Sequence, residues 1–370
     1  MVSPDFSMVT AVSSGSRIAA STDDAGTGAP ADRDAAEGAE GSDAAAGPEL
    51  GGNGWLMASS VGRTAKIPGM TRSPLAQPKQ APQERQYILT LGCPDSTGIV
   101  SHLSSFLTGI GAWITEAHFF SDPESKWFFT RQAVRADELD MTLEEVREAF
   151  QPIVEQLGPE AKWKISDNGV PKRAVILVTK EGHCLQDLLG RVDQNDYPME
   201  VAAVIGNHDN LEPLARAHGI PFHHVPFPKD AIGKRKAFDE VAQLVNAENP
   251  DAIVLARFMQ ILPADLCEMW EGRAINIHHS FLPSFMGARP YHQAHKRGVK
   301  LIGATCHYAT SDLDDGPIIE QDVIRVSHKD TPRDMQREGR DAEKQVLARG
   351  LRWHLEDRVQ VYGNRTVVFD

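Results

Sequence analysis

Long apolar runs, aromatic residues and cysteines are all scarce in this chain of 370 residues. No run of about 18 apolar residues occurs, so the sequence predicts no membrane-spanning helix. Aromatic residues make up 7% of the chain, but a hydrophobic fraction of 41% still allows a packed core, and the length allows two domains plus a tail. The few cysteines form no C-x-x-C pair, which argues against a disulfide scaffold and predicts buried free thiols in a reducing cytoplasm. They are Cys93, Cys184, Cys267 and Cys306.

Basic residues are also in the minority, with 38 Lys and Arg against 51 Asp and Glu and a net charge of -13. This balance argues against nucleic acid as the main partner, although a small anionic ligand responds only to local charge. Residues 1–54 have no basic start followed by an apolar stretch, so they do not resemble a secretory signal. Their acidic side chains outnumber the basic ones, which excludes an organelle transit peptide.

The first 84 residues are rich in Ala, Gly, Ser, Asp and Pro. They show little apolar periodicity, so they bury too little surface to offset the entropy of ordering. We predict a disordered tail over 1–84. Two alternatives stay open: a segment that binds a partner, and a true start at Met57 or Met70.

Regular patterns begin at Gln86. A strand at 87–91, a helix at 99–108, a hairpin over 113–136, a helix at 143–157 and a short strand at 162–165 follow in order. The order βαββαβ predicts a ferredoxin-like domain over 86–166. Residues 167–171 have the composition of a linker.

From residue 172 to 370 strands and helices alternate. Strands are expected at 174–179, 201–206, 222–225, 252–256 and 274–277, with helices between them at 185–192, 211–218, 234–246 and 264–270. This α/β alternation predicts a doubly wound, mainly parallel sheet that binds its ligand at the carboxyl ends of the strands. Strands at 304–307 and 318–326 are expected at one edge, followed by a helix at 334–358 and a hairpin at 359–369.

Polar side chains gather at the end of the strand 274–277. Asn276 and His278 are two residues apart, so they face the same side of the strand. An imidazole beside a carboxamide offers an acid/base group next to an oxygen-polarising donor. The alternative is that both side chains satisfy loop backbone groups.

The turn Leu313–Pro317 and the loop Arg257–Leu262 are the other candidates. The carboxylate of Asp314 is placed to orient His278 and raise its basicity, although Asp and Gly also favour plain turns and Asp315 competes for the role. Apolar residues and exposed backbone groups in the loop after strand 252–256 suit the edge of a flat heteroaromatic ligand. An ordinary hydrophobic loop is the alternative. The loop consists of Arg257, Phe258, Met259, Gln260, Ile261 and Leu262.

Together these segments resemble a known family. The stretch 173–370 is similar to the formyltransferase-fold proteins that act on 10-formyltetrahydrofolate, whose catalytic set is Asn-x-His with an Asp from a Leu-Asp-x-Gly turn. The resemblance is closest to the formyltetrahydrofolate deformylase family and covers residues 86–370. It is carried by LARFMQILP, INIHHSFLPSF, GARPYHQA, GVKLIGAT, LDDGPIIEQDV and VYGNRTVVF.

The resemblance implies hydrolysis of 10-formyltetrahydrofolate to formate and tetrahydrofolate by Asn276, His278 and Asp314, without metal or cofactor. It implies that the loop Arg257–Leu262 receives the pterin. Residues 86–166, with the loop sequence CPDSTGIV, resemble an ACT domain. Such domains bind small amino acids between Asp95, Gly98, Ile99 and a partner subunit, which implies a homo-oligomer with methionine and glycine as effectors.

Three other functions each match part of the sequence. A transferase that passes the formyl group to glycinamide ribonucleotide needs a phosphate cradle, and the loop Thr179–Cys184 is a poor one because it contains one glycine and an acid. A metal hydrolase would use His278, His279, His292, His295 and Cys306, but adjacent histidines on a strand point to opposite faces. A non-catalytic amino-acid sensor is disfavoured by the intact Asn276, His278 and Asp314.

Overall fold

A computed structural model describes residues 84–284 and 289–370. The predicted tail and the two alternative start positions, Met57 and Met70, lie outside the described residues. Among the helices within those two ranges, none is long and apolar enough to cross a membrane.

The first sheet has four antiparallel strands in the order β2-β3-β1-β4, with two helices. Helix α1 presents buried apolar residues at a spacing of four, and α2 begins with a capping box made by Thr142 and Glu145. The predicted βαββαβ order is therefore confirmed. The elements are β1 (Gln86–Pro94), α1 (Ile99–Gly109), β2 (Ile114–Asp122), β3 (Trp127–Arg135), α2 (Leu143–Leu157) and β4 (Lys162–Asp167).

The second sheet begins directly afterwards. Its first part alternates strands and helices as the sequence predicts. The elements are β5 (Lys172–Val178), α3 (His183–Asp193), β6 (Met199–Gly206), α4 (Glu212–Ala217), β7 (Phe222–His224), α5 (Ala231–Glu248), β8 (Ala252–Ala256), α6 (Ala264–Met269) and β9 (Ala274–His278).

The remaining elements complete the edge of this sheet and cover one of its faces. One helix, α7, lies in a stretch for which the sequence predicts no element, because it is short and mostly polar. The elements are α7 (Pro290–Arg297), β10 (Leu301–Tyr308), β11 (Ile318–Arg325), α8 (Pro332–Leu355) and the hairpin β12 (Val359–Tyr362) and β13 (Arg365–Val368).

The strand order of the second sheet is β11-β10-β9-β8-β5-β6-β7. Strands β5 to β9 are mutually parallel, and β10 and β11 run antiparallel at one edge. Helices α3 and α8 bury apolar residues on one face, and α5 and α6 do so on the other. The doubly wound, mainly parallel sheet is confirmed.

Ion pairs join the two sheets at the end of α8. The Asp357 carboxylate accepts hydrogen bonds from Lys164 Nζ at 2.6 Å, Ser166 Oγ at 2.5 Å and Lys172 Nζ at 3.0 Å. Burial raises the pKa of Asp357, but the two lysines outweigh that effect and lower the pKa to about 2. The carboxylate therefore stays charged and holds β4 against the end of α8.

Candidate functional site

The predicted residues meet in one cavity of about 290 Å³ at the carboxyl ends of β8 and β9. Asn276, His278 and Asp314 all line it, which agrees with the rule that ligands of such sheets bind at this edge. A larger cavity, of about 730 Å³, lies between the first sheet and the β12–β13 hairpin. Its walls include none of these three residues, so the smaller cavity is the candidate active site.

An acid/base pair is formed by His278 and Asp314. Nδ1 of His278 lies 3.1 Å from Oδ1 of Asp314, and both side chains are more than nine-tenths buried. Burial raises the pKa of the Asp314 carboxyl, but the hydrogen bond from His278 and the charge of that ring outweigh it. The pKa consequently lies below its usual range, and Asp314 is a carboxylate at neutral pH. The opposite ring atom, His278 Nε2, is buried and makes no hydrogen bond to a described residue.

The turn that carries Asp314 is shaped by close backbone contact. Asp314 has φ +57°, a left-handed conformation that Asp tolerates better than most residues. A Cβ at Gly316 would overlap the carbonyl oxygen of Tyr308, the last residue of β10. Glycine is therefore required two residues after Asp314 for the turn to lie against the end of β10 and bring the carboxylate to His278. Asp315, the competing carboxylate, is exposed.

A second histidine orients the carboxamide. Nδ1 of His307 lies 2.9 Å from its neighbour's carbonyl oxygen, Tyr308 O, and therefore carries the proton. Nε2 of His307 then accepts a hydrogen bond from Asn276 Nδ2 at 3.1 Å. Burial lowers the pKa of His307, which keeps it neutral and able to accept. Sequence reasoning missed His307, whose role follows only from the pairing of Asn276 with His307 across β9 and β10.

The other neighbour of His278 is His279. Burial, with the charge of Arg257 as the next contribution, lowers the pKa of His279 to about 3. The two rings lie 5.2 Å apart. The expectation that adjacent histidines point to opposite faces is wrong here, because β9 ends at His278 and its alternation does not extend to His279.

All six residues of the loop Arg257–Leu262 line the cavity. The loop is tied to the end of β5, because the Met259 amide donates to Thr179 Oγ1 at 2.9 Å. Met259 and Ile261 are 54% and 68% exposed, whereas Phe258 packs into the core. The loop thus presents two apolar side chains and its backbone to a ligand.

The predicted effector residues lie beside the first sheet. Asp95 and Gly98 are in the loop after β1, and Ile99 is the first residue of α1. Gly98 caps α1 with φ +95°, and the loop from Asp95 to Gly98 is exposed. The Asp95 carboxylate accepts a hydrogen bond from Ser121 Oγ of β2, and Ile99 is buried beneath the loop.

One cluster has the ligand types of a metal site. His183, Cys184 and Glu343 place one ligand atom each within 4.8 Å of one another, and this is the one such group among the residues described. It does not contain the histidines that the sequence suggested for a metal. Burial raises the pKa of Cys184 well above its usual value, and Arg257 Nε already lies 3.4 Å from the Glu343 carboxylate. A protonated thiol and a carboxylate paired with arginine fit a cation poorly.

The assembled cavity can therefore support an acyl-group reaction. It contains an imidazole with a free nitrogen, a carboxylate fixed to that imidazole and a carboxamide whose second N–H is available to an oxygen. Its apolar loop suits a flat heteroaromatic group.

The chain is similar in sequence to known proteins. The family described as Formyl transferase matches residues 172–351. The chain is 41% identical over 286 residues to the formyltetrahydrofolate deformylase of Corynebacterium sp. (strain P-1), covering 77% of this chain and 99% of that relative.

Solved structures give a consistent result. A formyltetrahydrofolate deformylase from Pseudomonas syringae pv. tomato is 53% identical, with a TM-score of 0.76 and coverage of 78% of this chain and 96% of that one. A glycinamide ribonucleotide transformylase from Symbiobacterium toebii is 28% identical, with a TM-score of 0.51 and coverage of 56% and 98%. The deformylase thus matches a larger share of this chain than the transformylase does.

The overlap at Gly316 predicts that Gly316→Ala destabilises the protein by about 1–3 kcal/mol, because the added methyl group must push the turn away from β10. Gly190 serves as the control, since a Cβ there meets nothing within 4 Å and alanine is favoured over glycine in a helix by about 0.5–1 kcal/mol. Urea unfolding of both variants measures the difference. Equal stability of the two variants would contradict this account of the turn.

Proposed function

The chain belongs to the formyltetrahydrofolate deformylase family. We propose that it hydrolyses the formyl group of its folate substrate with Asn276, His278 and Asp314. The reaction cleaves 10-formyltetrahydrofolate to formate and tetrahydrofolate, and the protein is a hydrolase. The observation that supports the residue assignment most directly is the 3.1 Å contact between His278 and Asp314 inside the cavity that Asn276 also lines.

The chemistry requires three events. Water attacks the formyl carbon, the carbonyl oxygen becomes negatively charged, and N10 must gain a proton as the C–N10 bond breaks. The water supplies the proton, so the products balance as formate, a released proton and tetrahydrofolate.

The side chains match these events. The second N–H of Asn276 Nδ2 polarises the formyl oxygen, since the first is held by His307. His278 Nε2 exchanges a proton with the reacting groups, and Asp314 holds the ring and the attacking water. The contact between His278 and Asp314 allows either residue to take the proton of the water, because the two groups share one hydrogen bond.

The folate substrate would occupy the apolar part of the cavity. We propose that the pterin lies along the loop Arg257–Leu262, in contact with backbone groups and with the exposed Met259 and Ile261. No step of this mechanism requires a metal ion or an organic cofactor. In the cell the reaction would balance one-carbon units and supply formate for purine synthesis.

The first sheet is the candidate for regulating the rate of hydrolysis. We propose that residues 86–166 form an ACT regulatory domain, that 172–370 form the catalytic domain, and that amino acids such as methionine and glycine bind at Asp95, Gly98 and Ile99. Strand β2 lies at the edge of the first sheet with Phe119 and Phe120 partly exposed. An unpaired apolar edge strand supports pairing with a second copy, hence a homo-oligomer.

Asp314→Asn is expected to lower formate release from 10-formyltetrahydrofolate by at least about 10²-fold, because the amide removes the charge that orients His278. Asp315→Asn is the matched control, and as an exposed substitution it should change the rate by no more than about twofold. Purified enzyme is assayed with and without glycinamide ribonucleotide. Formylation of that acceptor by the wild type would identify a transferase, and equal rates for the two variants would refute the Asp314 assignment.

Gly98→Ala is expected to abolish the effect of added methionine or glycine on formate release, because φ +95° at this position strains any residue with a Cβ. Gly109→Ala, at the other end of α1, is the control because it has open space and ordinary backbone geometry. The measurement is the rate as a function of effector concentration. An unchanged response in Gly98→Ala would place the effector site elsewhere.

A further inference from the structure

The direction in which the chain winds across the sheet changes between the parallel strands β5 and β8. From β5 the chain winds outward through β6 and β7, then returns to β8 and continues to β11 on the other side. In sheets of this kind the crevice at the carboxyl ends of these two strands is the usual place for a ligand. In this chain side chains occupy that crevice.

Arg257 is the first residue after β8. Its φ of +63° is uncommon for a residue with a long side chain, and only 9% of the residue is exposed. Its Nε lies 3.4 Å from Oε2 of Glu343 on α8. A strained backbone is retained where the position of the side chain matters.

Glu343 is the centre of this group and is 1% exposed. It lies 2.8 Å from His183 Nε2 through one oxygen, and it accepts a hydrogen bond from the Tyr291 hydroxyl at 2.8 Å through the other. Burial raises the pKa of the Glu343 carboxyl, but the hydrogen bond from His183 and the charge of Arg257 lower it below its usual range. We call Arg257, Glu343, His183 and Tyr291 the Arg257–Glu343 cluster.

The cluster is tightly packed. A Cβ at Gly339, one turn before Glu343 on α8, would overlap the Tyr291 hydroxyl. The four side chains come from separate elements: the loop after β8, α3, α7 and α8. The charge of Arg257 faces that of Glu343, although Arg257 Nε and Nη1 and His183 Nδ1 make no hydrogen bond to a described residue.

The cluster also borders the candidate active site. Arg257 and His279 line the same cavity as His278 and Asp314, and the His279 ring lies between those of His278 and Tyr291, at 5.2 and 6.1 Å. The cluster is therefore the inner wall of the cavity on the β5 side.

We propose that the Arg257–Glu343 cluster closes the space from which a second substrate would approach the formyl group, so that water alone reaches it. Arg257 is then a specificity-determining residue, which makes the site hydrolytic instead of formyl-transferring. This inference rests on the proposed function.

Charge and space both argue against a second substrate in the crevice between β5 and β8. A phosphorylated amine would need donors at the loop after β5, but His183 from that region is already bonded to Glu343. The Glu343 carboxylate, buried there, repels a phosphate, and it offsets the charge of Arg257, whose Nε lies 3.4 Å from it. An amine would have to displace a buried ion pair, whereas water does not.

If the cluster is removed, an amine becomes a competing nucleophile. Its nitrogen attacks the formyl carbon, the C–N10 bond breaks, and the proton lost by the amine goes to N10. The products are an N-formyl amine and tetrahydrofolate, with no oxidant or further reactant. The ratio of N-formyl amine to formate therefore reports on the exclusion independently of the overall rate.

The test is the double variant Arg257→Gly/Glu343→Gln, assayed with 10-formyltetrahydrofolate and glycinamide. Glycine accepts the positive φ, and glutamine keeps hydrogen bonds to His183 and Tyr291 without the charge. The ratio of N-formylglycinamide to formate, measured by mass spectrometry, should rise at least about tenfold over the wild type, the range expected when a pocket gains room for a larger group.

The control is Arg349→Ala/Glu320→Gln, which removes an ion pair of 3.1 Å between the same helix α8 and β11. Its product ratio should equal that of the wild type. A folded Arg257→Gly/Glu343→Gln enzyme that releases formate at the wild-type ratio would overturn the proposal. Failure of the wild type to release any formate would instead refute the proposed function.

A second measurement uses only the wild type, so it does not depend on the folding of a variant. Hydroxylamine and glycinamide are compared as acceptors at equal concentration, with reactions lacking enzyme subtracted. The closed wall predicts that the enzymatic acceleration of formyl transfer, relative to the uncatalysed reaction of the same acceptor, is at least about tenfold lower for glycinamide than for hydroxylamine. Equal acceleration for both acceptors would contradict the closure.

Discussion

The contact between His278 and Asp314 depends on the antiparallel direction of strand β10. His278 ends β9, and Asp314 lies 36 residues later in a turn that follows β10. Because β10 runs antiparallel to β9, its carboxyl end lies away from that of β9, and the turn must fold back along β10 to reach the histidine. The Tyr308 amide donates to Pro317 O at 2.9 Å, and the absence of a Cβ at Gly316 allows this close return.

The protonation states around this contact follow from burial and charge. His307 and His279 have lowered pKa values because burial disfavours their charged forms. Asp314 keeps its charge through His278, and Glu343 keeps its charge through His183 and Arg257. The cavity thus contains the neutral imidazoles of His307 and His279 and the charged carboxylate of Asp314, whose contact with His278 suits the movement of one proton between water and N10.

The sequence predicts much of the fold because local patterns decide it. Apolar spacing marks the helices α1, α2 and α8, and the alternation of strands and helices from 172 onward leads to the doubly wound sheet. Asn276 and His278 are predicted to share a face because strand residues alternate, and the structure places both in one cavity. Helix α7 is missed because its residues are mostly polar and show no apolar repeat.

The rest depends on contacts between distant segments. His307 orients Asn276 only through the register of β9 and β10, which no local pattern specifies. Glu343 lies on a helix as one of many charged residues, and its burial follows from packing against His183, Tyr291 and Arg257. Phe258 belongs to a loop that suits a ligand, yet its ring packs against Phe227 in the core. Such features require the assembled sheet.

The most direct test of the central claim is a double-mutant cycle on formate release with His278→Ala, Asp314→Asn and the double variant. Residues that act as one unit show strongly non-additive losses. If His278 and Asp314 act as one unit, the double variant is about as slow as the slower single variant. Losses that multiply in the double variant would show that His278 and Asp314 act independently, and would contradict the account.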